Sequence, residues 1–327
     1  MTRRRARLWT RLWARRLLPA VLLAAVLAVA GCGGADVPAV PEGTVRIATG
    51  AEGGVYEVYG SAYAGVLGER FPGPARVLPS GGSVDNIELV MAGRAETGFT
   101  LADIAADALA GREPFGAPRR LAALARLYDN YVQLVVRDDG PVRTVKDLKG
   151  RRVSVGGEGS GTAVAAERIL RVAGLADDVE LSRLDVGASA RALAARQIDA
   201  FFWSGGLPSA AITDLRRGTD MRLLDLGSTI EPLVREYGDL YTRTTVPASV
   251  YGLSNAVTTV SVPTYLVVRR DLPPATAYWL TRLLFEGHPR LAEAHPEARR
   301  LDPGSAIMTY PLELHEGAVR WYRSAHR

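Results

Sequence analysis

Arg152-Val153-Ser154-Val155-Gly156-Gly157-Glu158-Gly159-Ser160-Gly161-Thr162 decides how this chain of 327 residues is organised. Arg152–Gly156 alternates as a β-strand, the glycines read as a loop, and Thr162–Ala173 has helical apolar spacing. The same design occurs twice upstream. The strand Val45–Thr49 leads through Thr49-Gly50-Ala51-Glu52-Gly53-Gly54 into the helical stretch Val55–Glu69. The short extended Arg76–Leu78 leads through Pro79-Ser80-Gly81-Gly82-Ser83 into Asp85–Ala92. Each loop aims the free N–H groups of a helix N-terminus past the strand ends, and glycine lets a ligand approach the backbone closely. A helix N-terminus carries about +0.5 of an elementary charge, so such loops suit a carboxylate or phosphate. One loop alone is explained as a tight turn with an N-cap, which Ser83 or Thr162 provides; three in consecutive units point to a ligand cleft.

Working outward, Thr97–Thr100 reads as a buried strand, Ile104–Ala110 as helix, Leu121–Tyr128 as mixed, and Val132–Arg137 as an apolar strand. The turn cluster Asp138-Asp139-Gly140-Pro141 precedes a second series. There Glu180–Leu184, Ala200–Trp203 and Met221–Leu226 read as strands, and Ala188–Arg196 and Pro208–Arg217 as helices. Thr259–Arg269 is again extended, and Ala275–Phe285 opens a helical tail that is expected to pack back on the first half. Such βαβα alternation implies mostly parallel sheets wrapped by helices. The chain is expected to cross between halves twice, near Val132–Arg137 and Ser254–Val262, which makes a hinge. Lobe 1 is then residues 44–135 plus 260–327, and lobe 2 is residues 136–259.

The formal charge of +5 and pI near 9.5 suggest a nucleic-acid binder at first sight. Seven of the 40 Lys and Arg residues lie within residues 1–31, which hold no acid, leaving 33 bases against 35 acids beyond. The basicity therefore belongs to the N-terminal segment, and nucleic acid is excluded as a partner. Residues 1–31 read as a secretory leader: an arginine-rich start, the apolar run Leu17–Ala30 and small residues before Cys32. The run has 14 residues, fewer than the roughly 20 that span a bilayer as a helix. Arg15-Arg16 matches a twin-arginine export signal only weakly. Cys32 is the only cysteine, so an intrachain disulfide and a thiolate metal cage are excluded. Val29-Ala30-Gly31-Cys32 resembles the bacterial lipobox, which implies cleavage before Cys32 and a diacylglycerol on its sulfur. Residues 32–43 form a short Gly-, Pro- and Ala-rich tether.

Catalytic constellations are thin. Gly156 and Gly161 have the P-loop interval, but Thr162-Ala163 stands where Lys-Ser/Thr is required. No G-x-G-x-x-G, G-x-S-x-G or S-x-x-K pattern supports dinucleotide binding or a serine nucleophile. His288, His295, His315 and His326 lack metal-ligand spacing and read as solvated surface residues. Neither a metal, a cofactor nor a catalytic residue is expected.

Several motifs in order resemble the TAXI family of TRAP-transporter solute receptors. They are Gly50-x-x-Gly53-Gly54-x-Tyr56, Ser80-Gly81-Gly82-Ser83-Val84-Asp85-Asn86, Asp147-Leu148-Lys149-Gly150 through Gly156, and Gly159-Ser160-Gly161-Thr162. Gln197-Ile198-Asp199-Ala200-Phe201-Phe202, Asp271-Leu272-Pro273 and Pro311-x-x-x-His315-x-Gly317-Ala318-x-x-Trp321-Tyr322 complete the set. The similarity runs from Val45 to Tyr322. It implies an α/β, type II-like, two-lobe periplasmic-binding-protein fold: two mostly parallel sheets with helices, joined by a two-crossing hinge. It also implies capture of a small anionic ligand, a glutamate-like acidic amino acid or a dicarboxylate, for a TRAP permease; a monomer, held to the membrane through the lipid on Cys32, is expected. By position, Gly53, Gly54 and Tyr56 would line the first loop, Gly82, Ser83 and Asn86 the second, and Ser160, Gly161 and Thr162 the third. Trp203 and Tyr251 are aromatic candidates for closing over the ligand or for the core. The family's Gln-Ser-Asp-like stretch is here Leu101-Ala102-Asp103, so two hydrogen-bonding side chains are absent; Asp103 remains as a ligand for an amino group or a helix cap. The same module docking on a membrane histidine kinase, and an extracellular enzyme on this fold, stay open as alternatives.

Overall fold

Two long strands organise the structure, a computed structural model that describes residues 37–325. The leader, Cys32 and His326 lie outside the described residues, as does part of the tether. The first series runs β1 (Val45–Ala48), α1 (Val55–Gly68), β2 (Ala75–Leu78), α2 (Ser83–Met91), β3 (Thr97–Leu101) and α3 (Ala102–Ala110). β4 (Leu121–Arg137) then crosses to the second series: β5 (Arg152–Ser154), α4 (Gly161–Val172), β6 (Glu180–Ser182), α5 (Val186–Ala194), β7 (Ala200–Gly205), α6 (Ala210–Gly218) and β8 (Met221–Leu223). After α7 (Gly227–Tyr237), β9 (Thr242–Val246) and α8 (Ala248–Tyr251), β10 (Val257–Arg269) returns. The chain closes with α9 (Pro274–Glu286), α10 (His288–Ala294), α11 (Pro303–Ala306) and α12 (Glu316–Ala325).

Pairing is parallel among the outer strands on both sides: β1 with β2 and β3, and β5 with β6 and β7. β4 and β10 pair antiparallel to each other and join the two parallel groups into one mixed ten-stranded sheet, whose main path runs β2-β1-β3-β10-β4-β7-β5-β6 with β8 paired to β4 and β9 to β10. The stretch Leu121–Tyr128 is thus the first half of β4, whose 17 residues extend about 55 Å. Its early residues lie against β10, while Tyr131–Val136 lie against β7. Two register shifts between β4 and β10, at Thr264/Tyr265 and Leu266/Val267, fall in the first lobe, where β10 also pairs with β3.

The first lobe, around β1–β3, buries Ile47, Tyr59, Tyr63, Phe99 and Leu280 in one cluster. Tyr63 anchors α1 by donating to the Leu280 carbonyl at 2.6 Å. α12 packs back on α9, with Trp321 stacked on Phe285 at 4.5 Å and Tyr322 donating to the Leu124 carbonyl at 3.1 Å. The second lobe, around β5–β7, has its own cluster at Val135, Leu193, Phe201 and Ile212. A third cluster runs from Leu101 and Ala105 to Ala165, Ile169 and Phe202, so apolar packing is continuous across the waist. No helix among the described residues is long and apolar enough to cross a membrane.

The expectation of solvated histidines fails for His315, which is 2% exposed. Its Nδ1 accepts from the Gly317 amide at 3.1 Å at the start of α12, a backbone-capping task that requires burial with the helix end. His295 likewise accepts from the Glu297 amide at 3.1 Å, and His288 lies 3.0 Å from the Ala298 carbonyl.

Candidate functional site

The N-caps of five helices line a single cavity. They are Gly54 for α1, Gly82 for α2, Leu101 for α3, Ser160 for α4 and Asp185 for α5. The cavity encloses about 100 Å³, room for several water-sized groups, between the ends of strands from both lobes. The convergence follows from chain logic: each strand runs toward the waist, turns on its loop and re-enters as a helix whose first turn faces the gap. The caps differ. Ser160 accepts from the Ala163 amide at 3.1 Å and Asp185 from the Ala188 amide at 2.7 Å. Gly54, Gly82 and Leu101 make no side-chain cap.

The inner end is built on the two long strands. Tyr128 and Asn130 come from β4, and Asn130 donates from Nδ2 to Thr264 Oγ1 of β10. The Tyr128 residue is 3% exposed, and its buried hydroxyl lies beside Thr264, which also accepts from Asn130. Ser204 Oγ on β7 is buried without a hydrogen-bond partner among the described residues. Tyr56 stacks on Phe99 at 5.2 Å, and its hydroxyl lies 3.4 Å from Ser83 Oγ, which in turn accepts from the Leu101 amide at 3.2 Å. Burial pushes the Tyr56 phenol up to about 12 and Tyr128 well above its ordinary value, so both stay protonated donors. Val55, Leu101, Val186 and Trp203 supply apolar wall. Among the described residues, no Lys, Arg or His lines the cavity, and the only charged side chain there is the exposed Asp185.

Contacts between the lobes surround this cavity. The Val84 and Asp85 amides of α2 both donate to the Gly159 carbonyl, at 3.0 and 3.3 Å. Glycines permit this approach: a Cβ on Gly81 would stand 2.1 Å from the Glu158 carbonyl oxygen, and one on Gly159, whose φ is +69°, 2.1 Å from the Asp85 carboxylate. Near the waist, Arg168 of α4 reaches Asp103 at 3.1 Å and Asp107 of α3. Opposite, the Leu207 amide donates to Glu297 Oε1 at 2.8 Å, and burial raises the Glu297 carboxyl above the usual range.

Of the residues singled out from sequence, the cavity lining includes Gly54, Tyr56, Gly82, Ser83, Ser160, Gly161, Thr162 and Trp203. Gly53 lies outside it, at a wider opening shared with Ser209 and His295. Asn86 is a buried strut: its Nδ2 donates to the Thr49 and Phe99 carbonyls, and its Oδ1 accepts from Ser80 at 2.6 Å. Asp103 gives its Oδ2 to Arg168 and to the Tyr241 hydroxyl at 2.5 Å, and its Oδ1 is buried without a hydrogen-bond partner among the described residues. Tyr251 belongs to the second-lobe core, donating to Gln133 Oε1 at 2.8 Å and accepting from the Ser209 amide at 2.9 Å. Sequence reading missed Tyr128, Asn130, Asp185 and Ser204. A polar cluster, Tyr128-Asp129-Asn130, in the middle of a largely apolar strand was the available signal for the first two.

The fold has many solved relatives of low identity. MatC from Rhodopseudomonas palustris with bound malate superposes with a TM-score of 0.52 at 18% identity, covering 86% of this chain and 95% of that one. The alkanesulfonate-binding protein SsuA from Xanthomonas axonopodis pv. citri bound to MOPS gives 0.51 at 18% identity, covering 89% and 86%. A further structure, described as a periplasmic transporter, gives 0.53 at 13%, covering 88% and 94%. These likenesses show the α/β two-lobe, type II-like periplasmic-binding-protein architecture. The family pattern described as the NMT1-like family matches residues 47–325, and the chain accordingly belongs to the NMT1-like family.

Proposed function

We propose that this protein is an extracytoplasmic solute-binding protein that captures a small anionic metabolite between its lobes and presents it to a TRAP-type membrane transporter, as a TAXI receptor does. The observation that carries this reading is the convergence of five helix N-caps on one cavity walled by both lobes. Amides at those ends favour negative charge, and lobe closure around them excludes water and strengthens each hydrogen bond. MatC with malate and SsuA with MOPS, both anion-bearing molecules, support an anionic solute on this architecture. The resemblance seen in sequence names a glutamate-like amino acid or a dicarboxylate as first candidates.

The lobes, 44–135 with 260–327 and 136–259, would rock about β4 and β10, and occupancy would be read from the closed outer face. Cys32 would tether the protein to the membrane by lipid. Docking on a membrane histidine kinase uses the same closed face, and gene neighbours separate that reading from transport. An enzyme finds less support, because among the cavity-lining side chains no serine or threonine has a histidine or lysine beside it as a base.

Mass spectrometry of small molecules retained by gently purified protein, followed by calorimetric titration of the acids found, tests the proposal. A carboxylate or other oxyanion bound at micromolar strength is expected. No heat with any anion at millimolar concentration would remove the capture function.

A further inference from the structure

We infer that the solute reaches the inner cavity past the Trp203 indole, a swinging gate latched by Ser209. The inference rests on the solute-binding reading and concerns how that same site is entered.

Two flanks of the cavity are sealed. On one, the Val84 and Asp85 amides bind the Gly159 carbonyl. On another, Leu101 and Ala105 share an apolar cluster with Ala165 and Ile169, and Arg168 holds Asp103 at 3.1 Å. Entry there would break backbone hydrogen bonds or part a buried core. A third flank leads to the wider opening, which encloses about 320 Å³ and is lined by Gly53, Ser209, Thr213 and His295. The inner cavity and this opening share Gly54, Val55, Val186 and Trp203, of which Trp203 is the largest. Its indole is therefore the partition between the two spaces.

The partition is mounted on the second lobe and reaches the first. The ring lies against Gly205, where a Cβ would stand 2.5 Å from its Nε1 and 2.8 Å from its Cζ2. Nε1 donates to Ser209 Oγ at 2.6 Å, and that hydroxyl donates to the Gly206 carbonyl at 3.1 Å. At the far edge of the ring, a Cβ on Gly54 would stand 3.8 Å from Cη2. A methyl group would thus fill the space left between indole and first lobe, and no solute passes while the ring stays there. Swinging aside takes a change of rotamer and the loss of one hydrogen bond. Glycine on both sides, Gly54 and Gly205, leaves the ring room to turn. Tyr251, by contrast, is held in the second-lobe core by bonds to both Gln133 and Ser209.

Fluorine NMR of protein labelled with 5-fluorotryptophan tests the gate without any ligand, the Trp203 resonance being the one absent from Trp203→Phe. It should be broadened by exchange between two positions. Ser209→Ala, which removes the latch, and Gly205→Ala, whose Cβ wedges the ring outward, should both shift it, while the buried Trp279 resonance stays in place. A Trp203 resonance identical in wild type and both variants overturns the inference. Stopped-flow binding of glutamate, 2-oxoglutarate and malate then tests entry. For each acid that binds, Ser209→Ala should raise the association and dissociation rate constants together by about fivefold, the loss of one hydrogen bond from the shut state, with Kd unchanged within about twofold. Unchanged rates overturn the gate, and so does a rise in dissociation alone, the signature of a lost wall contact. Silence toward all three acids counts against the solute-binding reading, and the fluorine spectra then decide the gate by themselves.

Discussion

Replacing Gly81 by alanine asks whether the lobes must meet for the ligand to be held. The residue lies outside the left-handed region, so an alanine adds no backbone strain, and the Asp85 carboxylate, 2.7 Å from the new Cβ within the same lobe, can turn aside as the end of a side chain. In the closed arrangement its Cβ would stand 2.1 Å from the Glu158 carbonyl oxygen of the other lobe, and backbone cannot swing aside as a side chain does. The loops must separate by more than 1 Å to reach ordinary contact, roughly 3.4 Å apart. That movement breaks the two bonds from Val84 and Asp85 to Gly159, each contributing about 1 kcal/mol net. Residual crowding adds about 1–3 kcal/mol. Closure should thus be disfavoured by about 3–5 kcal/mol, weakening a ligand held only by the closed form about 100- to 1,000-fold or more. Calorimetry and the radius of gyration from small-angle scattering provide the assay, with Gly68→Ala, which meets nothing within 4 Å, as control. Affinity within threefold of the parent and full compaction on ligand addition would refute the reasoning.

Arg168→Met leaves the Asp103 carboxylate, 1% exposed, without its cation, while Asp107 keeps Arg112 at 2.8 Å. Urea denaturation should show about 3–5 kcal/mol lost, and a loss below about 1 kcal/mol contradicts the buried latch. Burial lowers the His315 pKa, so its neutral form is favoured in the fold. The associated stability is complete above the unfolded value near 6.5 and lost as pH falls through the folded value, with a slope of up to about 1.4 kcal/mol per pH unit. His315→Asn, which preserves a capping acceptor, should flatten melting temperature against pH below 6.5; an unchanged profile assigns the acid sensitivity elsewhere. Cys32→Ser should release the protein from membranes into the soluble fraction and leave the precursor unlipidated by mass spectrometry; membrane retention equal to wild type removes the lipid anchor.

Much of the architecture was legible because strand and helix periods alternate cleanly around glycine loops at 50–54, 79–83 and 156–162. The last stretch before β10 was not, for α7 carries Pro232 in its interior and opens on Gly227, signals that argue against a helix until packing on α4 and β10 overrides them. Leu121–Tyr128 read as mixed because β4 is buried on both faces and so lacks alternation. In the site, loop residues were legible from backbone need: a helix must begin after each glycine run. Tyr128, Asn130 and Ser204 were not, since a side chain on a long central strand faces the cavity only by virtue of register between β4, β10 and β7. Asn86 and Asp103 carried the right chemistry, yet the β1 loop and β3 claim the Asn86 amide, and Arg168 and Tyr241 claim Oδ2 of Asp103.

Backbone amide NMR during titration with the bound acid tests the central claim most directly. The amides of Val55, Tyr56, Gly161 and Thr162 should show the largest shifts, moving together at one saturating stoichiometry. Shifts confined to the outer groove at Ala190, Ala211 and Leu215, with those four amides unmoved, would contradict a solute seated among the converging helix ends.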